Sequence, residues 1–435
     1  MKARTRSNTA ALVLVVCALI GATPAFAIQT FTVNSLLDEI DDNTNDGVCH
    51  TASGTCTLRA AVIQANRTTG AGATIVLPAG VYTLARPAGG ADDDYSGDLD
   101  LLEPTGGGDP IISLEGAGPS STIVDAEQID RVFNVGVSRT ARISGITIRN
   151  GFLATGDGGG IYNKGNLTLS NVTLISNHAD FAGAIWNHSG TSLTILDSQI
   201  LSNTASFGGA IYNAGPASIS RSTIAFNHAA ISGGGLYEVG RLVVVNSTIA
   251  GNAADFSGGG IEYTSLADAN IYNSTIAYNM ADQDQDFNGS GGGVDIEGGG
   301  GLFNIYNTVV AGNFVSNAPV ADDCVGVVAS HARNLFGVTD HCQVVTVSGS
   351  WDLLNSIDLL GVLQDNGGPT QTIALLAGSN AIDGAIPGIG CLDSTSPILT
   401  DQRGFPRDVG ACDLGAFEYG AGDPNDGVFA NGFDL

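Results

Sequence analysis

Acidic side chains are the main chemical resource of this chain. Of its 435 residues, 43 are Asp or Glu and 16 are Lys or Arg, a formal net charge of −27. The densest group is Asp92, Asp93, Asp94, Asp98 and Asp100, in the segment DDDYSGDLD. Alternating carboxylates suit a hard cation, so Asp94, Asp98 and Asp100 are the candidate calcium ligands. The segment lacks the closing Glu and full spacing of a helix–loop–helix calcium loop. A second alternation, Asp282, Asp284 and Asp286, reads first as a solvated loop. Calcium is the one cofactor suggested, and none is required.

Carboxylates also cleave glycans. Inverting hydrolysis needs two of them about 6.5–9.5 Å apart, and elimination needs a base beside an acidic cluster. Bases are scarce here, because Lys164 is the single lysine after Lys2. His178, His188 and His228 fall near turns, at positions that read as non-equivalent. No Asp pair recurs beside an arginine, so no catalytic residue is assigned. The acidity disfavours nucleic acid and anionic membranes as partners.

Residues 1–27 have the pattern of a secretory signal: Lys2, Arg4 and Arg6, an apolar run from Ala10 to Ile20, then Ala25-Phe26-Ala27. Bulky Val16 before Cys17 argues against a lipid anchor. No later run is long and apolar enough to span a bilayer. Six cysteines follow the leader: Cys49, Cys56, Cys324, Cys342, Cys391 and Cys412. An even number in an exported chain favours disulfides, and pairing of sequence neighbours is the simplest of the connectivities. None has the spacing of a zinc or redox site.

The elements that must position these groups are repeats. Six units share a Gly-rich turn, a short strand, a turn, a second strand and a closing Asn. The first aliphatic residue of each is Ile161, Ile185, Ile211, Leu236, Ile261 or Val294. The closing residues are Asn177, Asn203, Asn227, Asn252, Asn279 and Asn313. Apolar and polar residues alternate within units, as in Leu167-Thr168-Leu169, the period of a strand with one buried face. A period near 25 is too short for α-solenoid pairs or four-stranded propeller blades. Three strands and three turns fit, giving an all-β, right-handed parallel β-helix of three sheets. A lone coil buries about eight aliphatic side chains at ~1.5–3 kcal/mol each. Ordering its residues costs ~1–2 kcal/mol apiece, so coils fold only when stacked. Asn177, Asn203, Asn227, Asn252 and Asn279 are expected to form a structural hydrogen-bonded ladder. Sequons such as Asn246-Ser247-Thr248 recur because the coil recurs. The longer unit before Val294 carries an insertion, Met280–Asn288, expected to form a loop on one face.

A solenoid needs capped ends. Leu58, Ala61, Val62 and Ala65 have amphipathic helical spacing in Thr57–Asn66, with Thr57 as N-cap. Strands are expected around Thr74–Leu84, Ile111–Leu114, Thr122–Val124, Val132–Val135 and Ile143–Arg149. The stretch FTVNSLLDE, then DGVC and CTLRAAVIQAN, resembles the CSLREA domain that opens many bacterial exported β-helix proteins. Thr57 stands where that family has Ser, and keeps a capping hydroxyl. Ala60 stands where it has Glu, which takes a carboxylate away from Arg59. Leu360–Thr372, Asp401–Arg407 and Cys412–Glu418 resemble the choice-of-anchor Q domain, with Asn380 in place of its usual Pro. Gly427–Leu435 is similar to a short C-terminal sorting signature of Gram-negative bacteria.

These readings divide the chain into a signal peptide (1–27), a CSLREA-like cap and first coil (28–84), and early coils with an insertion (85–157). The β-helix repeats (158–320), an anchor-Q-like region (321–420) and a tail (421–435) follow. The resemblances imply export and surface placement and bring no catalytic residue. The expected function is a secreted or cell-surface scaffold, adhesin-like, binding an extracellular glycan or surface protein. A polysaccharide lyase or glycoside hydrolase is the alternative.

Overall fold

The computed structural model describes residues 28–89, 93–103, 110–286, 288–316, 320–347, 351–356, 358–386, 391–393, 396–407 and 411–421. The signal-like leader, Asp92 and all of the tail beyond Ala421, with the sorting-like signature, lie outside them.

One coil illustrates how the sequence becomes the fold. Ile211–Asn213 forms a three-residue strand of what is here termed the front run, and Pro216–Ser220 a strand of the side run. Thr223–Ala225 lies in the back sheet, and His228–Ser232 in a short extra sheet. The glycine turn Gly233-Gly234-Gly235 then leads to Leu236, directly above Ile211. Stacking such coils places like residues in columns. Ile185, Ile211, Leu236, Ile261 and Val294 follow one another in the front run. In the back sheet Ile200, Ile224, Ile249, Ile276 and Val310 do the same. All of these are at most 2% exposed, so each column is a continuous apolar seam between coils.

The front and side runs join through Cys324–Ser330 into one twenty-stranded sheet, beside a ten-stranded back sheet and a six-stranded short sheet. The coils stack in parallel, as a right-handed β-helix requires, and the short sheet ends in one antiparallel pair, Phe314–Val315 with Val320–Ala321. Ten strands at about 4.8 Å per rung make a rod roughly 43 Å long. Corners between the side run and the back sheet are turned by residues with positive φ, such as Asn171, Asn246, Asn273 and Asn307. Asn tolerates that region better than most residues. Glycine is demanded at Gly234, where a Cβ would stand 2.3 Å from the Ala253 carbonyl of the next coil.

The expected N-terminal helix is present as Leu58–Arg67, and the Thr57 hydroxyl accepts from the Ala60 amide at 3.1 Å. Arg59 is fully buried. With no carboxylate at position 60, Asp38 serves it instead, at 2.6 and 3.2 Å, and the Gly97 and Asp98 carbonyls accept two further bonds. The expected strand Ile143–Arg149 divides at Gly145 into Thr140–Ser144 and Thr147–Arg149. Met280–Ala281 belongs to the short sheet, Met280 pairing with Ala253, so the insertion proper begins at Asp282.

Parallel strands continue to Cys342–Thr346. Beyond them the chain turns back. An antiparallel hairpin, Leu360–Gln364 with Thr372–Leu375, and the loops around residues 401–418 lie over the outer side of the back sheet. Gln402 is the main fastener. Its amide nitrogen donates to the Thr223 hydroxyl at 3.0 Å, and its oxygen accepts from the Thr248 hydroxyl at 2.7 Å. Arg407 is buried and bonds the Glu418 carboxylate at 3.1 Å and the Asn246 oxygen at 3.1 Å. The sequon residue Asn246 is thus covered by this strap. Among the described residues no helix is long and apolar enough to cross a membrane.

Candidate binding face

The outward position of the front run carries the most distinctive surface. Reading up the rungs, register aligns Asn134, Tyr162, Trp186, Tyr212, Tyr237, Glu262 and Asp295. A parallel column one turn earlier holds Asp157, Phe181, Phe207 and Ser232, and continues with Ser257 and Ser290. Both columns change character along the rod: the second turns from aromatic to hydroxyl at Ser232, on the rung of Tyr237, and the first from aromatic to carboxylate one rung later, at Glu262.

In the aromatic half, Trp186 stacks on Tyr212 with centroids 4.3 Å apart and planes 4° apart, and Tyr212 stacks on Tyr237 at 4.9 Å. These spacings follow the rung repeat. Phe181 and Phe207 stack on each other at 5.5 Å and meet Trp186, Tyr212 and Tyr237 edge to face. Tyr162 closes the row edge-on to Trp186 at 6.3 Å, with Arg131 and Lys164 within 5.2 and 4.9 Å of its ring. All six rings are partly exposed. Such contacts contribute ~0.5–1.5 kcal/mol each to the stack, and together they form an apolar patch rimmed by polar groups, the character of an interaction surface. Burial raises the pKa of the Tyr212 and Tyr237 hydroxyls, which remain neutral donors.

In the acidic half, Glu262 and Asp295 face outward on adjacent rungs yet are only 2% and 3% exposed. Loss of water, with the charges of Asp295 and Glu297 nearby, pushes the Glu262 carboxyl up to about 8. Asp295 is raised for the same reason, although its oxygen accepts a 2.5 Å hydrogen bond from Ser290.

The candidate calcium ligands are not gathered. Asp94 pairs with Arg67 at 2.6 Å, Asp98 with Arg131 at 2.7 Å, and Asp100 accepts from Asn134 at 2.6 Å. Asp94 and Asp98 each offset an arginine, and Asp100 braces the next rung through a neutral amide. Among the described residues it is the insertion carboxylates, Asp282, Asp284 and Asp286, whose oxygens lie within 4.8 Å of one another. The cysteines pair as sequence neighbours: Cys49 with Cys56, Cys324 with Cys342, and Cys391 with Cys412.

The closing Asn residues form a column of side-chain bonds, Asn177 to Asn203 at 3.0 Å, then through Asn227, Asn252 and Asn279 to Asn313 at 2.9 Å each. Asp323 accepts from Asn313 and ends it. Sequence reasoning missed a second column: Asn163, Asn187 and Asn213 bond in series at 2.7 Å, and Asn213 donates to Glu238 at 2.8 Å. It also missed the aromatic row, although the Ile-Tyr-Asn, Ile-Trp-Asn and Leu-Tyr-Glu triplets announce both at fixed repeat positions. One reading is corrected. His178 and His228 are equivalent, each aligned with Thr204 and each following a ladder Asn. His178 meets the Thr204 hydroxyl at 2.7 Å and His228 the Asp255 carboxylate at 2.9 Å. His188 lies apart from them, at the exposed corner after the front run.

No protein-family model matches the chain, and no curated protein matches it. The solved structure of pectate lyase Pel9A aligns with 90% of this chain and 97% of that one, at 15% identity and a TM-score of 0.51. The likeness is one of fold: this chain is a pectate lyase-like parallel β-helix.

Proposed function

We propose that the protein is an exported scaffold that binds an extracellular glycan along its front face, without cleaving it. The observation that carries this reading is the row of six partly exposed aromatic side chains, on four successive rungs from Tyr162 to Tyr237. Extended sugars are met by repeated aromatic and hydroxyl contacts at regular intervals, which is what a stacked rung supplies. Three disulfides support an oxidising, extracytoplasmic setting. A surface protein as partner, and retention at the cell surface through the C-terminal region, belong to the same reading.

The test is affinity electrophoresis of residues 28–435 against a panel of neutral and acidic polysaccharides. A glycan that retards the protein should lose affinity roughly thirtyfold on W186A/Y212A, as when an interface anchor worth about 2 kcal/mol is truncated. Unchanged retardation would reject the row as the binding face.

Cleavage is the second reading, favoured by the adjacent carboxyls of Glu262 and Asp295. Their near-complete burial counts against contact with a glycosidic oxygen. Release of reducing ends or unsaturated products, abolished by D295N, would overturn the non-catalytic reading.

A further inference from the structure

Glu262 and Asp295 have a geometry that neither coil packing nor sugar binding requires. They occupy the outward positions directly beyond Tyr237, in register on adjacent rungs, with like charge and almost no access to water. Glu262 Oε2 is buried and has no hydrogen-bond partner. It lies against Gly258, where a Cβ would stand 2.7 Å from it. Asp295 also lies close over its turn: a Cβ at Gly291 would stand 2.6 Å from the Asp295 Cβ, and the Asp295 carboxylate accepts from the Ser290 hydroxyl. Each carboxyl therefore meets the turn that precedes its strand, Glu262 at Gly258 and Asp295 at Ser290. The second turn is also the end of the insertion, and Ser290 ties it to Asp295.

The groups acting on this pair are mostly acidic. Glu262 faces Asp295, Glu297 and the Ser257 hydroxyl, with Tyr237 on the rung before it. Asp295 faces Ser290, Glu297 and Asp322. Asp322 in turn accepts from the Gly291 amide at 2.9 Å and meets His341 at 3.1 Å. Two buried carboxylates on neighbouring rungs cannot both ionise cheaply, because each charge loses its hydration and repels the other.

We infer that Glu262 and Asp295 form a proton-operated latch. While one of them keeps its proton, the turn Ser290–Gly291 stays seated. When both ionise, the turn lifts and the acidic end of the binding face opens. The shift of Glu262 to about 8 places the opening just above neutral pH. The consequence for glycan binding rests on the front-face reading; the latch itself does not.

The test is amide hydrogen exchange of residues 28–435 from pH 6 to 10, corrected for intrinsic rates and followed in Gly289–Ile296. Wild-type exchange there should rise by up to about tenfold per pH unit as pH climbs toward about 8 and level off above it, since opening releases one proton only while the closed pair still holds one. E262Q, which cannot ionise, should remove the rise, and D295N should do the same. Identical pH profiles in wild type and both variants would overturn the latch, as would a flat wild-type profile. If E262Q or D295N loosens the coil at every pH, the wild-type profile alone decides. Glycan retardation measured in parallel separates the two ideas: a working latch with no glycan bound rejects only the binding face.

Discussion

At the residue scale, the polar interior is organised by repetition. A buried amide is costly unless all its groups are paired. Stacked identical turns solve this, because each Asn accepts from the coil before and donates to the coil after. Asn227, for example, accepts from the Asn203 amide nitrogen at 2.9 Å and donates to Asn252 at 2.9 Å. The second column breaks the pattern at its end, where Glu238 takes the place of Asn. It accepts from Asn213 and from the Gly240 amide, yet burial still raises it to about 8. Its folded pKa lies above its unfolded value of 4.5, so the folded state holds the proton more tightly. The stability this confers is complete below about pH 4.5 and is lost as pH rises through about 8. E238Q keeps the acceptor and cannot ionise. Its melting temperature should match wild type at pH 4.5 and exceed it at pH 9. Parallel melting curves across that range, scanned calorimetrically, provide the check, and coincident curves would reject the assignment.

At the element scale, the C-terminal strap explains residues that carry the anchor-Q resemblance. Gln402, Arg403 and Arg407 are nearly fully buried. Gln402 and Arg407 bind the outer side of the back sheet and its corners, while Arg403 lies 3.6 Å from the Phe417 ring centre and bonds Asp401 at 2.8 Å. Desolvation lowers the Arg407 pKa, against the attraction of Glu418, Asp401 and Asp413. R407A would strand Glu418 in a dry site, at a cost on the order of 3–5 kcal/mol. The strap docks on coils that already stack on their own neighbours, so the loss should be local. Limited proteolysis should cut R407A within residues 360–419 while the coils before residue 220 stay protected. Equal protection of both regions would mean that the strap is held elsewhere.

At the scale of the whole molecule, stability is a sum of coil and interface terms. Removing one complete coil should then leave a shorter folded rod. Deletion of His178–Asn203 joins Asn177 to Thr204, so a ladder Asn still precedes a short-sheet residue, and each column keeps its register. Solution scattering should report a rod shorter by about 4.8 Å, with the parallel-sheet circular dichroism intact. Deleting half a coil would turn apolar positions outward and should abolish folding. If the full-coil deletion also fails to fold, the coils are not independent units.

How much of this was legible in the sequence depends on the range of the interaction concerned. Period, strand alternation, glycine turns, the capping helix and the first Asn column are local or repeat at a fixed interval, so the fold class could be read without coordinates. Disulfide pairing was legible in the same way, because each pair is near in sequence. The aromatic row was legible in principle: Tyr162, Trp186, Tyr212 and Tyr237 share one position in the repeat, and a reading that followed only the apolar positions passed over it. The equivalence of His178 and His228 was hidden by Thr204 between them. The remaining features needed the tertiary structure. Asp94, Asp98 and Asp100 look like one cluster in the chain, but their partners, Arg67, Arg131 and Asn134, come from a helix and from later coils. Gln402 reaches Thr223 across 179 residues. Glu262 and Asp295, separated by an insertion, become neighbours only when the rungs stack. Their proton affinity is set by lost hydration and mutual repulsion, and both depend on where the folded chain excludes water.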